Sequence, residues 1–167
     1  ISGRSGSGKS TSLNVLEDSG YFCIDNLPVT LLTPLIQKLN DDEKIDKAAV
    51  SIDARNISRD LALFPSFWER LKKSNLSPLI IFLDSTSDTL VKRFSETRRK
   101  HPLSSKERGL KEALDLESSL LDPISELAAL TIDTTNLTIH DLRNSIKTKV
   151  AGGNDSFALS FQSFAYK

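Results

Sequence analysis

A short glycine-rich stretch near the start of the chain has the residue types and the spacing of a phosphate-binding loop. Residues 3–10 match the pattern G-x-x-x-x-G-K-[ST] at every defined position. Glycines let the main chain approach phosphate oxygens, so that backbone N–H groups can bind them. Lys9 is expected to reach the β- and γ-phosphates, and the Ser10 hydroxyl to hold Mg²⁺. The stretch predicts a nucleoside triphosphate site formed by Gly3, Arg4, Ser5, Gly6, Ser7, Gly8, Lys9 and Ser10.

The residues on either side fit the context that such a loop requires, which is a strand before it and a helix after it. Ile1 and Ser2 are expected to be the end of a strand. Leu13 and Leu16 give the next segment an apolar helical face, and Gly20 supplies a left-handed residue to end it. The positive end of this helix dipole would face the phosphates. The context favours a nucleotide site over a glycine- and serine-rich surface linker.

Mg²⁺ in such a loop needs a carboxylate, usually at the end of a neighbouring buried strand. Asp53 and Asp84 both follow apolar runs of strand length, and both qualify. We favour Asp53, because Arg55 and Asn56 add a cation and an amide that could meet a phosphate or a base. Either aspartate could instead end a strand or cap a helix, and Asp84 stands just before a predicted helix.

Basic residues are concentrated between residues 92 and 111. That stretch has eight Lys or Arg residues and two glutamates, whereas residues 112–141 have seven carboxylates and no Lys or Arg. Arg98 and Arg99 could neutralise charge that develops in phosphoryl transfer, so we predict that they are catalytic, together with Lys9 and Asp53. Residues 100–105 would form a mobile covering loop, with His101 at the surface. A solvated helix face explains any single basic residue equally well.

Apolar runs of strand length alternate with helical patterns along the chain. The runs are residues 21–24, 48–52, 79–83 and 130–132, and their continuous hydrophobicity is typical of strands covered on both faces. We therefore predict an α/β fold: a three-layer, doubly wound parallel sheet of the P-loop NTPase class. Further helices are expected near Pro34, over residues 86–99, from the pair Asp122 and Pro123, and after a capping box at Thr138.

The composition is that of one soluble domain. The chain has 167 residues, of which 38% are hydrophobic and 26% charged, and its formal net charge is zero. No apolar run reaches the length of a membrane span, and a single cysteine excludes an internal disulfide. We predict a cytoplasmic protein without membrane contact, with a nucleotide-binding domain at 1–150 and a linker at 151–155. Residues 156–167 would be the first strand of a truncated C-terminal domain, or a strand exchanged in an oligomer.

Motifs along essentially the whole chain resemble the bacterial RapZ/YvcJ family of P-loop nucleotide-binding proteins. Besides the phosphate-binding loop, the matching stretches are residues 16–28 (LEDSGYFCIDNLP), 51–56 (SIDARN), 97–103 (TRRKHPL) and 163–167 (SFAYK). The closing motif of the family usually reads SFGFK, so Ala165 and Tyr166 depart from it.

This resemblance implies a kinase-like domain that binds ATP and GTP and hydrolyses them weakly. It assigns ATP to residues 3–10 and GTP to the segment Asp53, Ala54, Arg55 and Asn56. Some members are RNase adapters that bind a small regulatory RNA and control amino-sugar synthesis, largely through a C-terminal domain. A homo-oligomer is expected as well. Two alternatives stay open: a small-molecule or nucleotide kinase that transfers the γ-phosphate, and a non-enzymatic adapter that senses nucleotide.

Overall fold

The computed structural model describes residues 1–56 and 58–151. The strand predicted at 156–167, and all but the first residue of the predicted linker, lie outside this range. Within it, no helix combines the length and the apolar character that a membrane span requires.

Parallel strands form the centre of the described part of the molecule. They are β1 (Ser2–Gly3), β2 (Phe22–Ile24), β3 (Ala48–Val50), β4 (Ile81–Asp84) and β5 (Leu130–Asp133). Strand β4 pairs with β1 and β5, β2 pairs with β3, and a single parallel bridge between Ser2 and Ile52 joins the two groups. The order across the sheet is therefore β2-β3-β1-β4-β5, which puts β1 and the loop that follows it at the centre.

Helices alternate with these strands, as the sequence predicts. They are α1 (Lys9–Asp18), α2 (Leu32–Asp41), α3 (Ser58–Ala62), α4 (Phe64–Lys72), α5 (Ser87–Thr97), α6 (Leu110–Ser125) and α7 (Ile139–Ile146). A 3₁₀ turn (Val29–Leu31) precedes α2, and a π-helical turn (Lys147–Ala151) follows α7. The predicted α/β fold, with a parallel sheet flanked by helices, is confirmed.

Neighbouring residues of β4 belong to apolar clusters on opposite faces of the sheet. Leu83 packs in a cluster with Leu16 of α1 and Ile146 of α7. Phe82 packs in the other cluster, which contains Leu121 of α6 and residues of α2, α3 and α4. Since both faces are covered by helices, the strand needs apolar side chains at consecutive positions. This explains the continuous apolar run in the sequence.

The prediction that Asp122 and Pro123 begin a helix is wrong. Pro123 lies inside α6, which continues to Ser125. A proline so close to the end of a helix interrupts only the last turn, and the buried side chains of Leu121 and Ile124 hold that turn against the sheet. Packing therefore overrides the local signal of a cap followed by proline.

Candidate functional site

The phosphate-binding loop (residues 3–10) connects β1 to α1 at the carboxyl edge of the sheet. Gly3 lies so close to β4 that an added Cβ would stand 2.2 Å from the carbonyl oxygen of Leu83. Gly8 has a φ of 109° and immediately precedes α1, where a Cβ would stand 2.4 Å from Leu142 Cδ2. Side chains at these positions would collide or strain the backbone. The two glycines therefore make the sharp passage from strand to helix possible.

Helix α1 presents its N-terminus to this loop. The first N–H groups of a helix have no acceptor within it, and here the bond from Ser12 N to Gly8 O, 3.0 Å, is the first of the ladder. The first turn carries no acidic side chain that would compensate the positive end of the dipole. Ser10 is exposed in that turn. The arrangement suits an anion with several oxygen atoms.

The side chain of Lys9 folds back along the loop. Its Nζ donates to the carbonyl oxygens of Gly3 at 2.8 Å and Arg4 at 3.1 Å. Burial lowers the pKa of Lys9, and the nearby carboxylates of Glu117 and Asp53 partly oppose this effect. The ammonium group is thus held by neutral carbonyl oxygens, which charged phosphate oxygens can replace with stronger hydrogen bonds.

Asp53 follows β3 and stands beside β1, because Ile52 forms the bridge to Ser2. Its buried carboxylate accepts the Arg55 backbone N–H at 2.9 Å and the Arg55 guanidinium at 2.6 to 3.1 Å. Burial acts to raise the pKa of Asp53, but the hydrogen bonds and charge of Arg55 outweigh it and hold the pKa below its usual value. Asp53 is therefore an ionised carboxylate, close enough to the loop for the charge of Lys9 to act on it.

The residues predicted to hold Mg²⁺ fit that ion chemically. The described residues contain no group of three or more His, Cys, Asp or Glu side chains that could hold a metal. Mg²⁺ commonly takes only one or two protein ligands and completes its octahedron with phosphate oxygens and water. An exposed hydroxyl at Ser10 and a carboxylate at Asp53 are ligands of this kind.

The other candidate carboxylate, Asp84, ends β4 on the opposite side of β1. Its side chain is 47% exposed, and Oδ1 accepts the N–H of Ser85 at 2.8 Å and lies 3.8 Å from Arg4 Nη1. Asp84 thus has the strand-end role that the sequence offers as an alternative, whereas the cap of α5 is Thr86.

The segment predicted for GTP uses most of its side chains internally. Asn56 Oδ1 accepts the N–H of Val29 at 2.8 Å, and Nδ2 donates to the carbonyl oxygens of Leu27 at 3.3 Å and Asp53 at 3.2 Å. Ala54 is buried. The most open of the four residues is Arg55, with 46% of its side chain exposed. Asn56 in this way fixes the turn that leads into α2.

Arginines of the site have different surroundings. The guanidinium of Arg4 is buried and donates to Ser85 O at 3.1 Å, Leu114 O at 3.3 Å and Ser87 Oγ at 3.0 Å. These side-chain bonds tie the loop to α5, α6 and the residue after β4, and the backbone N–H of Arg4 donates to Leu83 O of β4 at 3.3 Å.

An arginine that the predicted site omits, Arg93 of α5, contacts the loop directly. Its Nη1 donates to Gly6 O at 2.9 Å, and its Nη2 donates to Thr134 O at 2.5 Å. Arg98 and Arg99 are exposed at the end of the same helix, where Arg98 adopts a left-handed φ of 52°. The structure therefore places one arginine against the loop and the two predicted ones at a solvent-facing turn.

A buried carboxylate of α6, Glu117, also contacts the phosphate-binding loop. Its Oε1 accepts the backbone N–H of Ser5 at 2.8 Å and the Ser5 hydroxyl at 2.6 Å, and its Oε2 lies 2.8 Å from His101 Nε2. Both side chains of the Glu117–His101 pair are fully buried. The prediction of a surface His101 is wrong, because its ring packs against Phe94 and accepts a hydrogen bond from the N–H of Leu103.

Glu117 does not stand out in the sequence, because it is one of several carboxylates in an acidic stretch. The one available signal is helical spacing: Glu117 lies three residues after Leu114 and four before Leu121, both of which are buried. That spacing puts it on the apolar face of α6, where a charged residue needs a partner.

A parallel α/β sheet, a glycine-rich loop after its central strand and a lysine at the start of the next helix define a P-loop nucleotide-binding protein. A family model described as "RapZ-like N-terminal domain" matches residues 1–154, and the chain belongs to this family.

Curated relatives match the whole chain. A "Nucleotide-binding protein" of Hahella chejuensis is 55% identical over 170 residues, which are 100% of this chain and 59% of the relative. Proteins with the same name in Marinobacter nauticus and Cellvibrio japonicus are 51% and 48% identical and also match 100% of this chain. The chain spans 58% and 57% of their lengths.

Proposed function

We propose that this chain binds ATP or GTP as the Mg²⁺ complex at residues 3–10 and hydrolyses it slowly. One observation carries the proposal: Lys9 Nζ lies 2.8 Å from Gly3 O, at the N-terminus of α1. A cation, free helical N–H groups and glycines that allow close approach are the features that bind a chain of phosphates. The names of the relatives, which say only that those proteins bind nucleotides, support the same class of ligand.

In this proposal Ser10 and Asp53 hold Mg²⁺, and Lys9 binds the β- and γ-phosphates. The ion, when bound, neutralises charge on the phosphate oxygens during transfer. Without metal, the Arg55 guanidinium is hydrogen-bonded to the Asp53 carboxylate and must move away before Mg²⁺ can bind there. The guanidinium can then contact a phosphate or a base. We keep GTP at residues 53–56 as a second proposal, carried by the open side chain of Arg55 alone.

Without nucleotide, Glu117, the carboxylate that contacts the loop, is not available as a general base. A general base must be free to accept a proton from water or from an acceptor hydroxyl. Both oxygens of Glu117 are already bonded, one to Ser5 and the other to His101. Arg98 and Arg99 would assist turnover only after moving from their exposed positions towards the γ-phosphate.

A kinase is the second candidate function. The central β1 between β3 and β4, and the basic residues between α5 and α6, favour it. ATP consumption with and without candidate acceptors separates the two. Acceleration by orders of magnitude with one acceptor establishes a kinase, whereas equal slow rates establish a hydrolase or a nucleotide sensor.

For the longer proteins of this family we propose a cytoplasmic, oligomeric RNase adapter that binds a small regulatory RNA. This proposal comes from the family resemblance, and it concerns mainly the C-terminal domain that the resemblance implies. Nucleotide is available in the cytoplasm, which agrees with the location.

Lys9→Ala tests the proposed site. Removing the ammonium group deletes charge-assisted hydrogen bonds, so triphosphate affinity measured by calorimetry should fall at least about tenfold. Lys92→Ala is the matched control, because Lys92 is exposed on α5 and its ion pair with Glu96 is 3.9 Å long. Equal affinities of wild type and Lys9→Ala would show that the nucleotide binds elsewhere.

A further inference from the structure

Two donors of the phosphate-binding loop are occupied by an anion of the protein itself. The backbone N–H and the hydroxyl of Ser5 both donate to Oε1 of Glu117, at 2.8 and 2.6 Å. Burial acts to raise the pKa of Glu117, but the hydrogen bonds from His101 and Ser5 outweigh it, so the pKa is lower than usual. Glu117 is therefore ionised at neutral pH, beside a loop whose chemistry is to bind another anion.

His101 connects this carboxylate to the basic segment, which we define as residues 98–109. The N–H of Leu103 donates to His101 Nδ1 at 3.0 Å, so Nδ1 carries a lone pair. In the neutral ring the proton then resides on Nε2 and is donated to Glu117 Oε2 at 2.8 Å. The backbone of His101 is part of the same turn, since its carbonyl oxygen accepts bonds from the N–H and the hydroxyl of Ser104. The His101 ring therefore connects this turn to Glu117.

We propose that Glu117 and His101 are positioning residues that couple phosphate in the loop to the position of the basic segment. The proposal rests on nucleotide binding at residues 3–10. A phosphate group and the Glu117 carboxylate compete for the same donors of Ser5. When the phosphate takes them, Glu117 loses two of its three hydrogen bonds and gains a negative neighbour. It must then move or take up a proton.

Either response of Glu117 changes its hydrogen bond with His101 in the basic segment. If the carboxylate moves, the acceptor of the His101 Nε2 proton moves with it. If it is protonated, the charge-assisted bond becomes a weaker neutral one. In both cases the hydrogen bond that anchors residues 101–104 on α6 is weakened or broken. Arg98 and Arg99, exposed just before this anchor, are then free to approach the phosphates.

The two histidines of the chain allow a direct test by NMR of the imidazole nitrogens. We expect His101 in the Nε2-protonated form without nucleotide, and a change in its ring signals when a magnesium complex of a non-hydrolysable ATP analogue is added. His140 is the internal control, since it lies exposed on α7 and contacts Asn144. A His140→Gln variant assigns the signals.

Glu117→Gln separates coupling from a purely structural role. The glutamine amide keeps the shape of the side chain and one oxygen that can accept from Ser5. It removes the negative charge that competes with phosphate, and it replaces the other carboxylate oxygen with an NH₂ group. We expect triphosphate to bind about threefold or more tightly, and the His101 signals to be insensitive to the analogue. A structural role predicts weaker binding instead, because the loop would lose its support.

Each result has one consequence. Binding of the analogue by calorimetry with unchanged His101 signals in wild type overturns the coupling and leaves the proposed function intact. No binding at all overturns the proposed function. If Glu117→Gln fails to fold, the wild-type comparison still decides, because it needs no change at this position.

Discussion

At the scale of residues, the pair of Asp53 and Arg55 would determine how the proposed site receives Mg²⁺. The carboxylate is buried and its partner is the half-exposed guanidinium at 2.6 Å. Exchanging a guanidinium for Mg²⁺ leaves the carboxylate compensated throughout, so it never becomes an unpaired buried charge.

Asp53→Asn should reduce the gain in triphosphate affinity that Mg²⁺ provides by about tenfold, because an amide is a weaker Mg²⁺ ligand than a carboxylate. Calorimetric titrations with and without Mg²⁺ measure this gain. Asp84→Asn is the control at the end of the neighbouring strand, and its gain should equal that of wild type. The reverse pattern would assign the ion to Asp84.

Arg98 and Arg99 are exposed, so their contacts with phosphate would have to form after nucleotide binds. The double variant Arg98→Ala, Arg99→Ala should lower kcat about tenfold or more and leave KM nearly unchanged, because the charge they meet develops in the transition state. Steady-state phosphate release measures both constants. Arg59→Ala, at an arginine with 82% side-chain exposure on α3, is the control. An effect on KM alone would make them binding residues of the ground state.

At the scale of elements, the passage from the loop into α1 depends on Gly8. Gly20 offers a comparison after the same helix: its φ is 92°, but a Cβ there would meet no atom within 4 Å. Gly20→Ala should cost about 1 kcal/mol for the positive φ. Gly8→Ala adds the contact with Leu142 and should cost about 1 to 3 kcal/mol more. Urea denaturation gives both values, and equal costs would show that Leu142 yields without penalty.

Local signals located some elements well. The capping box predicted at Thr138 is confirmed by two reciprocal bonds of 3.0 Å: the Thr138 N–H donates to Asp141 Oδ2, and the Asp141 N–H donates to Thr138 Oγ1. Such a signal needs four consecutive residues and nothing else. By contrast, α3 and α4 were not predicted, because they are short and their few apolar residues give no clear helical pattern. Leu61 and Trp68 are buried by packing in the cluster on one face of the sheet.

At the scale of the whole molecule, buried carboxylates make the free energy of unfolding depend on pH. The folded state holds the pKa values of Asp53 and Glu117 below their ordinary values of 3.8 and 4.5. The unfolded chain therefore binds protons first, so stability is full above about pH 4.5 and falls as pH drops through the folded values. Glu117→Gln should flatten this fall, as followed by urea midpoints from neutral to acidic pH. An unchanged slope would mean that Glu117 has a similar pKa in both states.

The sheet and the loop were predictable because parallel strands leave continuous apolar runs and a phosphate-binding loop has a local pattern. The run predicted at 79–83 corresponds to β4, and that at 48–52 to β3 and the bridge at Ile52. The contact between Ser5 and Glu117 joins residues 112 apart and has no local pattern. For the same reason the buried position of His101 could not be deduced from its neighbours.

The central place of β1 has a consequence for synthesis. Strand β1 leaves the ribosome before both of its partners, which are residues around 52 on one side and around 82 on the other. Until both partners have emerged, the phosphate-binding loop has no neighbouring strands to pack against. The nascent chain must first close the loop of about 80 residues between β1 and β4. If the loop binds nucleotide as proposed, the ligand can stabilise the folding chain only after the residues of β4 have been translated.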